Sequence, residues 1–437
     1  MAIADPVIGI AAVIAGIVEV TDISDNALTR RETVIANGLR IVTEHVPTVR
    51  SVALGIWVKT GSRYEPAEIS GISHFLEHMV FKGTETRDKY EIALALESVG
   101  GMVNAMTSKD YTCFYARFLE EHLEIAVSLL TDILLNPTFP QEELERERYV
   151  VLDELRDAQD VPDEVVFDAF ESRIFPNSGL GRPVIGFEET IKNFTHEALN
   201  DYRRTHYHPE NMVVTASGYV DHDELVALLS QYFVEGTQRL TNHFVDELHE
   251  ATPGEAVETR SIQQSHLITG RRIFSLSDEK RWPLGVLNAV LSGGMSSRLF
   301  QNIREAHGVA YAIYSFANLY RDTGVFGIYL ATDPKNRHRG LELVQGELKK
   351  LTDEPIAEQE LERVKAQYKS GIVMSEESME RRMFRLGRQL IYYDHAMDID
   401  QYLEKIEAVN SADVQSLAQE LFLSDMFFTM ILEPANR

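Results

Sequence analysis

Cysteine is almost absent: Cys113 is the only one in 437 residues. That excludes an intrachain disulfide and any cysteine-built metal cage. Long apolar runs are also missing. The stretch Val7–Val18 is too short to cross a bilayer, which needs about 18 or more apolar residues. No Lys or Arg precedes Arg30, and Asp5 stands ahead of the apolar stretch, so the basic start of a secretory signal is lacking. Residues 1–30 therefore read as a loosely ordered leader, and the cytoplasm is preferred over export. Basic residues are scarce as well, 42 Lys plus Arg against 68 Asp plus Glu, a formal charge of -26. Such a chain repels a phosphate backbone and excludes nucleic acid as a partner. An acidic surface or cavity favours cationic or neutral peptides, although the same charge also serves plain solubility.

What is present is an ordinary soluble composition, 44% hydrophobic and 25% charged, in a chain long enough for two domains. Thr33–Ala36 and Leu39–Val42 flank Asn37-Gly38, the signature of a two-residue hairpin, and place the start of the folded part near Arg31. Ser51–Thr60 is a β-branched strand, and a polar loop past Pro66 leads to a helix starting near Ser70. Met102–Phe118 reads as one strand and Leu123–Leu135 as a helix. After Asn136-Pro137, Gln141–Ala158 is a charged helix with Leu144, Val151, Leu152 and Leu155 on its apolar side. Residues 236–258, broken by Pro253-Gly254, make a linker. Glu-Leu-Glu-Arg at 143–146 returns at 360–363, each time shortly after a proline (Pro137, Pro355). The order of elements recurs with it. The expectation is an α+β protein of two similar domains related by duplication, 31–235 and 259–437, each a mainly antiparallel sheet packed with helices. Carried over by that offset, the motif described next falls on Leu291–Met295 and Gly371, so only the first half keeps an ionisable cluster.

His74-Phe75-Leu76-Glu77-His78 sets two imidazoles at i and i+4 on one helix face, with a carboxylate beside them. Two neutral imidazoles at this spacing can ligate one zinc, and Glu77 beside the open position can take a proton from bound water. An isolated pair of helix histidines can equally be a packing arrangement. A catalytic site needs a third ligand, which the downstream helix offers as Glu154, with Glu147 two turns earlier placed to orient a ligand. His206 and His208, at i and i+2, read as packing or surface histidines. Gly324 and Gly327 form no phosphate loop, because no Lys-Ser/Thr follows them.

From Arg31 to 435 the chain resembles the inverted-motif metallopeptidases of the pitrilysin, insulin-degrading enzyme and mitochondrial processing peptidase family, and most of all the half-size bacterial members similar to the processing-peptidase beta subunit. The resemblance rests on Gly71–Thr84 and on Glu147–Glu154, with Ser73 standing where a small apolar residue is usual. It implies a zinc endopeptidase with one Zn2+ held by His74, His78 and Glu154, Glu77 as general base and Glu147 in support. It further implies that the strand carrying Asn104 and Ala105 pairs with an extended peptide substrate. In the second half, Arg304 and Tyr311 match donors to the substrate carbonyl and the developing oxyanion. By residue type alone these two would be a surface and a core residue. Half-size members form dimers around a chamber, so the partner is a second copy or an inactive paralogue. Against an enzyme stand a noncatalytic core or peptide-binding partner subunit of the same fold and a peptide-binding chaperone module.

Overall fold

The computed structural model describes residues 17–25, 28–234 and 247–435. Its strands are β1 (Ile17–Asp25), β2 (Leu28–Ile35), β3 (Arg40–His45), β4 (Ser51–Val58), β5 (Met102–Thr107), β6 (Thr112–Leu119), β7 (Met212–Gly218), β8 (Gly254–Arg260), β9 (Ser265–Ile273), β10 (Ala310–Leu319), β11 (Gly324–Thr332) and β12 (Phe428–Pro434). The helices are α1 (Ile72–Met79), α2 (Lys89–Glu97), α3 (Leu123–Leu135), α4 (Gln141–Asp160), α5 (Pro162–Ile174), α6 (Glu188–Asn193), α7 (His196–His206), α8 (His222–Tyr232), α9 (Arg281–Ser292), α10 (Arg337–Asp353), α11 (Glu358–Ser375), α12 (Met379–Tyr393), α13 (Ile399–Ala408) and α14 (Ser411–Leu421). None of the described helices is long and apolar enough to cross a membrane.

Two sheets result, ordered β1-β2-β3-β7-β4-β6-β5 and β10-β11-β9-β12-β8. Five strands of the first correspond one for one to the second, β3, β7, β4, β6 and β5 matching β8, β12, β9, β11 and β10. Among the described residues the only parallel pairing of each sheet is at the same place, β3 with β7 and β12 with β8. The fold is therefore α+β with a repeated sheet, and the Glu-Leu-Glu-Arg repeat falls on the matching helices α4 and α11.

Several local expectations are corrected. Ile17–Asp25 is a strand paired with β2, so residues 1–30 are not loosely ordered throughout, while 1–16 and 26–27 lie outside the described residues. Its partner is the next strand in the chain, Asp25 standing opposite Leu28, so the pairing is local. The linker also ends sooner. Residues 235–246 lie outside the described residues, and Gly254–Arg260 is a strand whose partner, β12, is far downstream. The Asn37-Gly38 hairpin closes through three residues, Ile35 N–H bonding Leu39 O at 3.1 Å, with Gly38 at φ 88° taking the left-handed position such a loop requires. The single strand expected over Met102–Phe118 is the hairpin β5–β6, turned at residues 108–111 where the Ser108 hydroxyl donates to Tyr111 O at 2.9 Å.

The chain forms two compact units. The first holds the chain through Asp153, the stretch from Pro183 to the start of the second unit's Asp246, and Glu376–His395; the second holds Glu154–Arg182, Asp246–Ser375 and the chain from Ala396 on. This differs from a cut at one linker because two helices have been traded. In the second unit, α5 packs Val166, Phe170 and Ile174 against Ile268, Val325 and Met430 of that unit's sheet. In the first, α12 presents Met379, Met383, Leu386, Gly387, Leu390 and Ile391, spaced for one helix face, to β4 and β7. Gly55 of β4 and Gly387 of α12 let helix and sheet approach: a Cβ on Gly387 would stand 2.1 Å from Trp57 Cε2, and one on Gly55 would stand 2.5 Å from Met383 Sδ. A buried ion network completes the contact, the Glu44 carboxylate accepting from Arg385 at 2.9 Å while Arg385 also bonds Glu376.

Candidate metal centre

Helix α1 carries the motif, and its start is set without a side chain at the helix-capping residue. Gly71 occupies that position at φ 93°, where a Cβ would lie 2.4 Å from Ile185 O. The buried Glu65 carboxylate instead accepts from Gly71 N–H at 2.6 Å and Ser73 N–H at 2.8 Å, satisfying the free amides and placing negative charge at the positive end of the helix. Ser73, the departure from the expected small apolar residue, is also explained: its hydroxyl bonds Tyr202 Oη at 2.8 Å and ties α1 to α7.

Phe75, Leu76 and Met79 of α1 are fully buried, which turns His74, Glu77 and His78 to the opposite, half-open side. The ring centroids of His74 and His78 lie 4.8 Å apart. Helix α4 buries Leu144, Val151, Leu152 and Leu155 as expected, and so fixes Glu147 and Glu154 two turns apart on another face. The division between the units falls at Glu154, but α4 is one unbroken helix across it. One ligand atom from each of His74, His78 and Glu154 lies within 4.8 Å of the others, the one such cluster of three among the described residues.

The electrostatics suit a cation. Burial, and then the neighbouring His78, push the His74 imidazole down to about 4, so at neutral pH it carries a lone pair and no charge. His78 donates Nδ1–H to Glu147 Oε2 at 3.2 Å, which leaves Nε2 as its lone-pair nitrogen. Burial alone would raise the Glu147 carboxyl, but its bonds to His78 and to Lys82, at 2.6 Å, outweigh this and hold it below the usual range. Two imidazoles and one exposed carboxylate are the donor set of a catalytic zinc site, and these residues fit that ion.

The other expected site residues lie as follows. Asn104 and Ala105 are on β5, the outermost strand of its sheet. Arg304 is on a π-helical turn, Phe300–Glu305, with its guanidinium 4.9 Å from the Phe300 ring centroid. Tyr311 is not a core residue: it is 72% exposed, because the β10–β11 register shifts between Ala310 and Ala312 and the bulge turns this residue outward. His206 and His208 are buried; His206 packs on the Tyr202 ring at 4.4 Å. Glu65 went unrecognised in the sequence, where an acid six residues ahead of a helix's first free amide carries no local signal.

Comparison with known proteins adds independent findings. The family model described as Insulinase (Peptidase family M16) matches residues 40–188, and Peptidase M16 inactive domain matches residues 193–368. An uncharacterized zinc protease of Bacillus subtilis (strain 168), YmxG, is 39% identical over 92% of this chain and 97% of its own. Another uncharacterized zinc protease, from Mycobacterium leprae, is 38% identical over 92% of this chain and 91% of its own. Among solved structures, a protease from Helicobacter pylori superposes with a TM-score of 0.88 at 22% identity, covering 94% of this chain and all of the other.

Proposed function

This chain belongs to peptidase family M16, as a half-size member, and from that premise we propose that it is a zinc-dependent endopeptidase acting on extended peptides or unfolded segments. The observation that carries the reading is the meeting of His74, His78 and Glu154 beside Glu77, contributed by two helices far apart in sequence. These three residues would hold the ion, which when bound polarises the scissile carbonyl and acidifies water. Glu77 then takes the proton from the attacking water and passes it to the leaving amine nitrogen, so that the peptide bond breaks into an acid and an amine. The exposed edge of β5, at Asn104 and Ala105, offers backbone groups to an extended substrate, a mode that reads shape more than sequence. Two copies, or one copy with an inactive paralogue, enclose the chamber, and Arg304 and Tyr311 serve the partner's site as donors to the developing oxyanion. The irregular backbone at both residues supports this reading, since π-turns and bulges concentrate where a side chain is aimed for function.

The test is Glu77→Gln, which preserves shape but cannot accept a proton. Bound zinc is expected to stay stoichiometric while turnover of a quenched peptide falls by about a hundredfold or more. Retained turnover would remove Glu77 from the role of base, and lost zinc would make it a ligand.

A further inference from the structure

The hydroxyl of Thr107, the last residue of β5, donates to Glu77 Oε2 at 2.5 Å. That is the short length of a hydrogen bond to a charged oxygen. On the reading above, in which Glu77 is the base, we propose that Thr107 is the positioning residue for it: the bond fixes the carboxylate's plane and presents Oε1 to the water.

Chemically the hydroxyl suits this task better than a cation would. While Glu77 is a carboxylate, Oε2 accepts from Thr107. Once Oε1 has taken the proton, Oε2 is a carbonyl oxygen and accepts the same bond. The contact holds the group through the transfer without the strong preference for the anion that a lysine or arginine would impose.

The hydroxyl is itself held in place. The turn after Thr107 is bound to the loop that precedes α1, Ser62 N–H donating to Ser108 O and Arg63 N–H to Lys109 O, each at 3.0 Å. Gly61 admits this approach, since a Cβ there would stand 2.2 Å from Ser108 O. Beneath the turn, Arg63 and Asp110 form a buried ion pair at 3.0 Å, and Tyr392 donates its hydroxyl to the other Asp110 oxygen at 2.9 Å. The same loop continues to Glu65, which caps α1. One short segment thus registers both partners of the Thr107–Glu77 bond, the helix that carries the base and the turn that carries the hydroxyl.

The experiment compares full-length Thr107→Val, which keeps the shape and loses the hydroxyl, with Thr107→Ser, which keeps the hydroxyl. In zinc-loaded protein, Val is expected to lower kcat about tenfold to a hundredfold, the cost of a misplaced catalytic group, with KM within about twofold and zinc content unchanged. Ser should recover most of that loss. A second readout needs no turnover: the Glu77 carboxylate bands, isolated from metal-free protein as the infrared difference against Glu77→Gln, should shift in Val and return in Ser. If Val lowered the unfolding temperature enough to compromise folding, Ser against Thr107→Ala carries the same comparison. Wild-type kcat in Val, or Ser no better than Val, overturns the positioning role. Activity surviving in Glu77→Gln would instead overturn the base assignment beneath it.

Discussion

Removing Glu147 should weaken zinc binding without touching any ligand. Both its oxygens are committed, Oε2 to His78 Nδ1 at 3.2 Å and Oε1 to Lys82 Nζ at 2.6 Å, and its side chain is only 8% exposed. Glu147→Ala therefore does two things at once: it frees the His78 ring to rotate, and it leaves the Lys82 charge without its counter-ion near an incoming cation. Loss of such a supporting carboxylate costs about tenfold to a hundredfold in metal affinity, or about 1.4 to 2.8 kcal/mol, and with both effects acting the upper end is expected. Glu147→Gln keeps an acceptor for His78 but loses the charge, and should fall near tenfold. Lys82→Met also strips Glu147 of a partner, yet it removes a positive charge and so should leave affinity equal or higher. Competition for zinc against a chromophoric chelator measures all three. Wild-type affinity in Glu147→Ala would refute the reasoning, as would an equal loss in Lys82→Met, which would mean that general loosening of the site and not ligand orientation is being measured.

Other outcomes follow from the same geometry. His78→Ala and Glu154→Ala should each lose zinc by elemental analysis while keeping the circular dichroism of the fold, since the buried cores do not depend on the ion; global unfolding on chelation would make the site structural. Glu77→Gln and Tyr311→Phe, each inactive alone, should recover up to about a quarter of wild-type turnover when mixed and allowed to exchange, if one copy completes the other's site; no recovery after exchange is confirmed by mass spectrometry would end the homodimer proposal. At Glu44, burial works to raise the carboxyl but Arg385 and Arg382 outweigh it and hold it below its ordinary 4.5. A depressed carboxylate contributes stability that is fully present above about pH 4.5 and is lost as pH falls through the folded value. Glu44→Gln should thus cost about 3 to 5 kcal/mol at neutral pH and flatten the acid side of the stability profile; denaturant midpoints from pH 3 to 7 would show an unchanged slope if the network carries no such weight.

How much of this was legible depended on the range of the interaction. The His74–His78 pair is written in a spacing of four on one helix, and α3 and α4 announce themselves by apolar period, so their bounds were read almost to the residue. The repeat was visible because a four-residue word landed on equivalent helices. What escaped was written only in tertiary contact. Thr107 and Glu65 are ordinary polar residues until the β5–β6 turn and the α1 loop come together. The turn itself was passed over because its polar break, Ser108-Lys109-Asp110, carries no Gly or Pro and both flanks, 102–107 and 111–118, read as strand. Tyr311 was assigned to the core by residue type, and a one-residue bulge reversed that. The trade of α5 and α12 between sheets has no local signature: each is an amphipathic helix that would suit either sheet, and the choice is made by shape, as at Gly387 over Trp57.

That trade also sets a timetable for the newborn chain. The first sheet is complete in sequence when Gly218 has been made, but the helix that covers its Trp57 face begins 161 residues later at Met379. At about 5 to 20 residues per second, synthesis leaves that face uncovered for roughly 8 to 32 seconds. During this interval an apolar surface built to receive Met383 and Phe384 is open to any other exposed apolar segment, including those of neighbouring nascent chains. That interval is when a ribosome-associated holding factor would have a surface on this chain to cover.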